Sequence, residues 1–391
     1  MTDPVVIVGM ARTPMGGMQG MFSGLSVVEL GSAAIKGALA DAGIDGDAVD
    51  EVLMGCVLPA GTGQAPARQA ALAAGVGKQV PCTTLNKVCG SGMKTVMMGH
   101  DAIVAGSASI VVAGGMESMT NAPYMMPQGR GGYRFGHGEL LDHMLYDGLQ
   151  DAYAGGPMGG FAESCADKYE FTREQQDAYA IESLSRANNA IKDGKFTREI
   201  VPVAVKSRKG EVIYDTDEQP GNARPDKIPS LRPAFKKDGT VTAANASSIS
   251  DGAAALVLMK KSEADKRGLS VIATIKGHSQ NANEPEWFTT APVGAMEKLM
   301  KRVDWDSQKV DLFEVNEAFA VVTMAAMTEL NIPHDKVNVH GGACALGHPL
   351  GASGARILVT LLGALETYDK HTGVASLCIG GGEATAIAVE R

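Results

Sequence analysis

One short pattern occurs twice in this chain, once in each half. Cys89-Gly90-Ser91-Gly92-Met93-Lys94 opens a helical stretch, and the apolar run that follows closes on Gly114-Gly115. Gly351-Ala352-Ser353-Gly354-Ala355-Arg356 opens another, and the next run, Ala375 to Ile379, closes on Gly380-Gly381-Gly382. Each copy puts small-x-Ser-Gly at a helix start and follows it with a strand and glycines. Coincidence between two ordinary α/β units is the plain alternative to duplication. A true duplication implies two halves packed about a pseudo-twofold axis, with both helix N-termini directed at one site.

The chain around these copies alternates in the same sense. Val5 to Gly9 reads as a strand. Ser26 to Ala42 has helical spacing, with Val27, Leu30, Ala34 and Leu39 on one face and Gly43 as its stop. Val49 to Leu53 leads into a strand, Ser91 to Ala105 reads as a helix, and Ile110 to Ala113 as a buried strand ended by Gly-Gly. Such alternation predicts an α/β layered fold, and 391 residues are too many for one ordinary core. From about Met119 to Ser248 the chain is richer in Gly, Pro, charge and aromatic residues. There Asn121 to His143 reads as a long loop and Thr172 to Asp193 as a helix capped by Thr172. This region reads as an insertion that covers something, and the buried pattern returns at Gly252 to Met259.

Composition narrows the function classes. A formal net charge of -9 argues against nucleic-acid binding, which needs a basic surface. No run approaches the length of a membrane span. Met1 to Val8 leads straight into a strand without the form of a signal peptide, so a cytoplasmic location is expected. The six cysteines form no Cys-x-x-Cys pair, which points away from zinc and towards free, reduced thiols.

Among those thiols, Cys89 precedes a helix start in Asn86-Lys87-Val88-Cys89-Gly90-Ser91-Gly92. The helix dipole and free N–H groups there lower a thiol pKa and favour the nucleophilic thiolate. A buried Cys in a tight turn is the alternative. His348, in Ala345-Leu346-Gly347-His348-Pro349-Leu350-Gly351, stands before the second helix start and can take a thiol proton. His340, in Asn338-Val339-His340-Gly341-Gly342, qualifies by the same logic. Cys378 ends the last buried strand beside a glycine run whose N–H groups can hold an oxyanion, although Cys is also a common core residue. Asn316, in Asn316-Glu317-Ala318-Phe319, follows the buried run Val310 to Val315, where it can contact substrate or water, or cap a helix.

Together these segments resemble the thiolase family, over nearly the whole chain. The likeness runs through Val5 to Pro14, Asn86 to Gly92, Gly114 to Met119, Thr242 to Ser247, Asp251 to Ala254, Asn316 to Phe319, Gly341 to Gly354 and Cys378 to Gly382. It implies a five-layered α-β-α-β-α fold from two similar halves with an inserted loop domain. Residues 1–118 with 250–270 would form the first half, 119–249 the inserted loop domain over coenzyme A, and 271–391 the second half. It implies reversible Claisen condensation of two acetyl-CoA to acetoacetyl-CoA plus CoA, within fatty acid metabolism. Cys89 would carry the acyl group. His348, with a water on Asn316, would activate Cys89 and hold the first oxyanion. Cys378 would remove the α-proton, and the N–H groups of Cys89 and Gly380 would hold the second oxyanion. Ser247 resembles the residue that contacts the pantetheine arm, and Met158, Phe235, Ala243, Ala318 and Phe319 would line the substrate tunnel. No metal and no cofactor is implied, since the coenzyme A thioesters are substrates. A homotetramer, a dimer of dimers, is implied as well, with the 121–143 loop helping assembly.

Some positions depart from the family pattern. Pro157 stands where many acetyl-specific members have His, and His340 and Cys344 where Asn and a small apolar residue are usual. Pro220 and Lys227 replace nucleotide contacts for which Arg224 can substitute. Trp287 and Phe288 border the acyl pocket in relatives and favour a short acyl chain. A degradative 3-ketoacyl-CoA thiolase of broader chain length and a non-catalytic acyl-CoA-binding protein on the same fold are the alternatives. A decarboxylating ketosynthase would lack a second cysteine, and Cys378 argues against it.

Overall fold

The computed structural model describes residues 3–207 and 210–391. Its main strands are β1 (Val5–Arg12), β2 (Glu51–Gly55), β3 (Cys82–Leu85), β4 (Ile110–Ser118), β5 (Ser250–Lys260), β6 (Ala273–Ala282), β7 (Leu312–Val315), β8 (Thr372–Ile379) and β9 (Glu383–Glu390). The principal helices are α1 (Val27–Ala42), α2 (Pro66–Ala73), α3 (Ser91–Ala105), α4 (Gly159–Tyr169), α5 (Arg173–Lys192), α6 (Ala291–Val303), α7 (Ala320–Glu329) and α8 (Leu350–Thr367).

The strand pairing is a duplication. In the first half β1 pairs antiparallel with β5, β5 antiparallel with β4, and β4 parallel with β2. In the second half β6 pairs antiparallel with β9, β9 antiparallel with β8, and β8 parallel with β7. The halves meet where β1 pairs antiparallel with β6, through Val6–Thr274 and Ile7–Ala273.

Side-chain alternation along these strands builds the layers. On β5, Ala253, Ala255, Val257 and Met259 pack with Leu30, Ala34 and Ile35 of α1, while Ala254, Leu256 and Leu258 pack with α3 and α8. On β9, Ala384, Ala386 and Ala388 pack with Ala295 and Leu299 of α6, while Ile387 and Val389 face α8. Helices α3 and α8 thus lie between the two halves of one continuous sheet, with α1 and α2 outside one half and α6 and α7 outside the other. This position explains the composition of α8. It is the one described helix long and apolar enough to cross a membrane, yet 89% of it is buried inside the protein.

The central helices touch backbone to backbone. A Cβ on Gly92 would lie 2.8 Å from the Ala355 nitrogen, and one on Gly354 would lie 2.3 Å from the Met93 nitrogen. A Cβ on Gly115 would lie 1.9 Å from the Gly351 oxygen. Gly114 and Gly115 therefore do not end β4, as their sequence suggests. The strand continues to Ser118; Gly115 clears space for the start of α8, and Gly114 for the close backbone of β5, where a Cβ would lie 2.1 Å from the Ala254 oxygen.

The halves differ in one connection. Between β8 and β9 runs only Gly380 to Gly382, with Gly381 and Gly382 at φ of 92° and 91°. The corresponding link from β4 to β5 takes residues 119–249, which hold α4 and α5. Helix α5 begins as its sequence predicts, with a reciprocal cap between Thr172 and Gln175. The expected loop at 121–143 contains one short pairing, Tyr124–Met125 against Leu141–Asp142. Arg12 of β1 anchors this long segment, donating to Glu199 at 2.5 Å and to both oxygens of Asp217 at 2.7 and 2.9 Å, all buried.

Candidate active site

The two copies of the repeat meet at one point. Ser91 and Ser353 hold the segments that lead into α3 and α8. The Ser91 hydroxyl donates to the Val88 carbonyl at 2.6 Å and accepts the Lys87 N–H at 2.8 Å. The Ser353 hydroxyl donates to the Pro349 carbonyl at 2.9 Å and contacts His348 Nδ1 at 2.5 Å. Similar local chemistry thus presents Cys89 in one half and His348 in the other. Val88, just before Cys89, has a φ of 46°. A left-handed β-branched residue is strained, and such strain persists only where the surroundings over-determine it.

Cys89 does not have the low pKa that its place near a helix start suggests. Burial pushes the thiol up to about 11, against the opposing N–H groups of Gly380 and of Cys89 itself. The helix proper begins after Cys89, at Ser91. Desolvation therefore outweighs the helix terminus, but the two N–H groups still converge on the sulfur position. Cys378 is fully buried at the end of β8. Burial, and then the charge of nearby Cys89, push its thiol well above the ordinary range. The two sulfurs are thus electrostatic neighbours.

His348 is pushed down to about 3, by burial first and then by the Arg356 guanidinium. The resting pair is accordingly a neutral imidazole and a neutral thiol. With the Ser353 proton directed to Pro349, Nδ1–H of His348 donates to Ser353 and Nε2 keeps its lone pair. Among the described residues no group hydrogen-bonds Nε2. Asn316, buried at the end of β7, lies 3.4 Å from His348 Nδ1 through its amide nitrogen, and its oxygen accepts from Arg356 at 3.4 Å. Replacing Ser353 with Ala removes the group that orients this ring. We expect kcat to fall by about 10- to 100-fold with KM little changed, read by steady-state kinetics.

A cavity of about 440 Å³ opens from this point. Cys89, His348 and Gly380 line it together with Met158, Phe235, Ala243, Ser247, Ala318 and Phe319. His348 is the only titratable base among its lining residues, so its walls suit an uncharged chain. Ala243 and Ser248 also line an adjoining cavity, and Arg224, Lys227 and Cys344 line that one rather than the first. Pro157 and Phe288 border the main cavity. Trp287 does not, and lies against the Lys168 ammonium, 4.4 Å from the ring centre. Pro220 is buried, and lines neither cavity. His340 does not reach the site. It is buried edge-on to Phe196 and tilted against Tyr368.

Several supporting groups carry no sequence signal of their own. Glu117, at the end of β4, is buried and accepts the N–H groups of Gly351 at 2.7 Å, Val57 at 3.0 Å and Leu58 at 3.1 Å. Burial pushes its carboxyl up to about 7 despite those donors. It ties the start of α8 to the first half. Glu317 accepts the hydroxyls of Tyr179 and Ser183 on α5, each at 2.8 Å, and the Asn338 amide at 2.8 Å. Both residues sit inside motifs quoted above, but their partners come from distant segments.

Comparison with known proteins agrees with this geometry. The family model described as "Thiolase, N-terminal domain" matches residues 5–262, and "Thiolase, C-terminal domain" matches residues 269–391. Acetyl-CoA acetyltransferase 2 of Arabidopsis thaliana is 54% identical, over 99% of this chain and 96% of its own. Acetyl-CoA acetyltransferase of Cupriavidus necator is 50% identical over 100% of both chains. The crystal structure of Acat5 thiolase from Ascaris suum in complex with coenzyme A superposes with a TM-score of 0.94, at 44% identity, over 99% of this chain and 100% of that one.

Proposed function

The chain belongs to the thiolase family, and from that premise we propose that it is an acetyl-CoA acetyltransferase, condensing two acetyl-CoA to acetoacetyl-CoA and coenzyme A and running thiolysis in reverse. The observation that carries the mechanism is the meeting of a cavity-lining sulfur, Cys89, a buried one behind it, Cys378, and two converging N–H groups at one end of an apolar cavity.

His348 Nε2 takes the Cys89 proton as the sulfur attacks the first thioester. The protonated ring and a water on Asn316 hold the negative oxygen. Coenzyme A leaves with the proton of Cys378, so acetyl-Cys89 faces a Cys378 thiolate. The carbonyl of the second acetyl-CoA accepts the N–H groups of Gly380 and Cys89. Cys378 removes its α-proton, and the carbanion attacks acetyl-Cys89. Cys89 leaves and regains its proton from His348, which closes the cycle. Burial suits both sulfurs to these roles. A thioester C–H is a weak acid, and a desolvated, high-pKa thiolate is a strong base for it.

The 440 Å³ cavity would take the acyl group and pantetheine arm, with Ser247 on the arm. The adjoining cavity bordered by Arg224 and Lys227 would take the nucleotide end. Residues 119–249 would form the cover. A homotetramer and a cytoplasmic location belong to the same proposal. Assembly is supported by exposed Tyr124, Met126, Phe135 and Leu140 in and beside the 121–143 loop.

Phe288 and Phe319, 6.3 Å apart between ring centres, both line the cavity, and their bulk supports the short-chain reading. Thiolysis of acetoacetyl-CoA and of 3-ketohexanoyl-CoA separates the short-chain reading from the degradative one. We expect kcat/KM to favour acetoacetyl-CoA by about 10-fold or more. Equal or faster cleavage of the longer substrate would make this a broad-range 3-ketoacyl-CoA thiolase. No cleavage of either would point to a binding role.

A further inference from the structure

A second cluster of ligating groups lies away from the reacting sulfurs, where α3 of the first half meets β6 of the second. His100 and Asp101 are on α3, and His278 is on β6. His100 Nδ1 lies 3.1 Å from Asp101 Oδ1, and His278 Nε2 lies 2.8 Å from the same oxygen. The three ligand atoms all fall within 4.8 Å of one another. The imidazoles stand edge to face, with ring centres 5.1 Å apart and planes 86° apart. Two lone pairs can then converge without the rings colliding.

We infer that His100, Asp101 and His278 form a binding site for a divalent first-row transition ion, zinc being the best fit. A tetrahedral zinc holds its ligands at about 2.0–2.1 Å, so neighbouring ligand atoms lie about 3.3 Å apart. The two contacts with Asp101 need a few tenths of an ångström of adjustment to reach that spacing, while the two imidazole nitrogens, within 4.8 Å of each other, must close on the ion by side-chain rotation. Two imidazoles and one carboxylate select zinc, copper or nickel over magnesium and calcium, which prefer oxygen. Burial keeps His278 below the ordinary imidazole range. Asp101 stays ionised, because hydrogen bonds from His100 and His278 overcome the burial that opposes its charge. The ring nitrogens that face Asp101 hydrogen-bond to it, so to take the ion each ring must give up the proton on that nitrogen or move it to its other nitrogen. The nearby Arg302, which donates to the His278 carbonyl, disfavours ions held by charge alone and leaves the directional lone pairs to decide.

The site is separate from catalysis. His100 is nine residues beyond the first residue of α3, about 14 Å along the helix at 1.5 Å per residue. Its ligands span the two halves, so an ion there would pin the helix that starts beside Cys89 to the sheet of the other half. Metal binding should therefore raise the thermal midpoint while leaving turnover unchanged.

The test uses full-length, metal-stripped protein with Cys89 blocked by iodoacetamide, so that the catalytic thiol does not compete. Zinc is titrated by calorimetry, and cobalt is added separately to read ligand geometry from its visible spectrum. We expect one equivalent per chain, a tetrahedral cobalt spectrum and a zinc-dependent rise in the thermal midpoint. Losing a direct ligand should cost at least as much as losing an outer-shell partner, so His278→Ala should bind about 100-fold more weakly or not at all. His100→Gln, a milder change, should do the same while its unblocked form keeps full thiolysis, which separates lost metal from lost fold. No binding by the unmodified-sequence protein, or equal binding by both variants, overturns the assignment.

Discussion

Cys89→Ala is expected to abolish both acetoacetyl-CoA thiolysis and the exchange of coenzyme A into acetyl-CoA, each by about 10⁴-fold or more. Among the described residues this side chain is the only sulfur that both lines the cavity and receives the Gly380 and Cys89 N–H groups. Removing it deletes the covalent intermediate, and no neighbour can replace it. Cys378 is buried behind the cavity lining, and His348 is neutral with its pKa at about 3. Coenzyme A should still bind, because the other lining residues are untouched. Isotope exchange, turnover and calorimetric binding of coenzyme A measured on one preparation read all three. Retained exchange would move the acyl carrier to another residue and overturn the mechanism.

Cys378→Ala should split those activities. The attack on acetyl-CoA needs only Cys89 and His348, so acetylation should slow as coenzyme A loses its proton donor but not stop, and mass spectrometry after long incubation should still find one acetyl group on the peptide that contains Cys89. Condensation and thiolysis need a proton moved at the α-carbon, and both should fall by about 10²- to 10⁴-fold, the usual contribution of a positioned acid or base. Cys378→Ser tests the cause. It keeps the volume but offers a much weaker acid in a site whose burial already opposes charge, so it should resemble the alanine variant. A serine variant with near-normal turnover would show that Cys378 only packs.

Legibility differed between kinds of feature. The helices α1, α3 and α5 were readable because their caps and periodicity are local, as with Ser26 and Gly43 bracketing α1. Cys89, His348, Cys378 and Gly380 were readable as candidates because each stands in a distinctive run of small residues. Local chemistry misled at Gly114-Gly115, where glycine signalled a turn but serves close approach, of β5 at Gly114 and of α8 at Gly115. It misled again at Cys89, whose nearby helix suggested a low pKa although burial dominates. His340 and His348 looked nearly equivalent in sequence, and only packing separates a ring held against Phe196 and Tyr368 from one that faces the cavity.

By itself, then, the sequence determined the α/β alternation, the repeated serine-glycine helix starts and the residue types available for acyl transfer. These follow from periodicity, capping and turn chemistry, which act over a few residues. The tertiary structure decided which of those groups meet, how Glu117 and Glu317 tie the site to distant segments, and which protonation states burial imposes. It also brought His100 and Asp101 beside His278, far apart in the chain. Such facts depend on long-range pairing of two half-folds and on desolvation, and neither is encoded in any short stretch of residues.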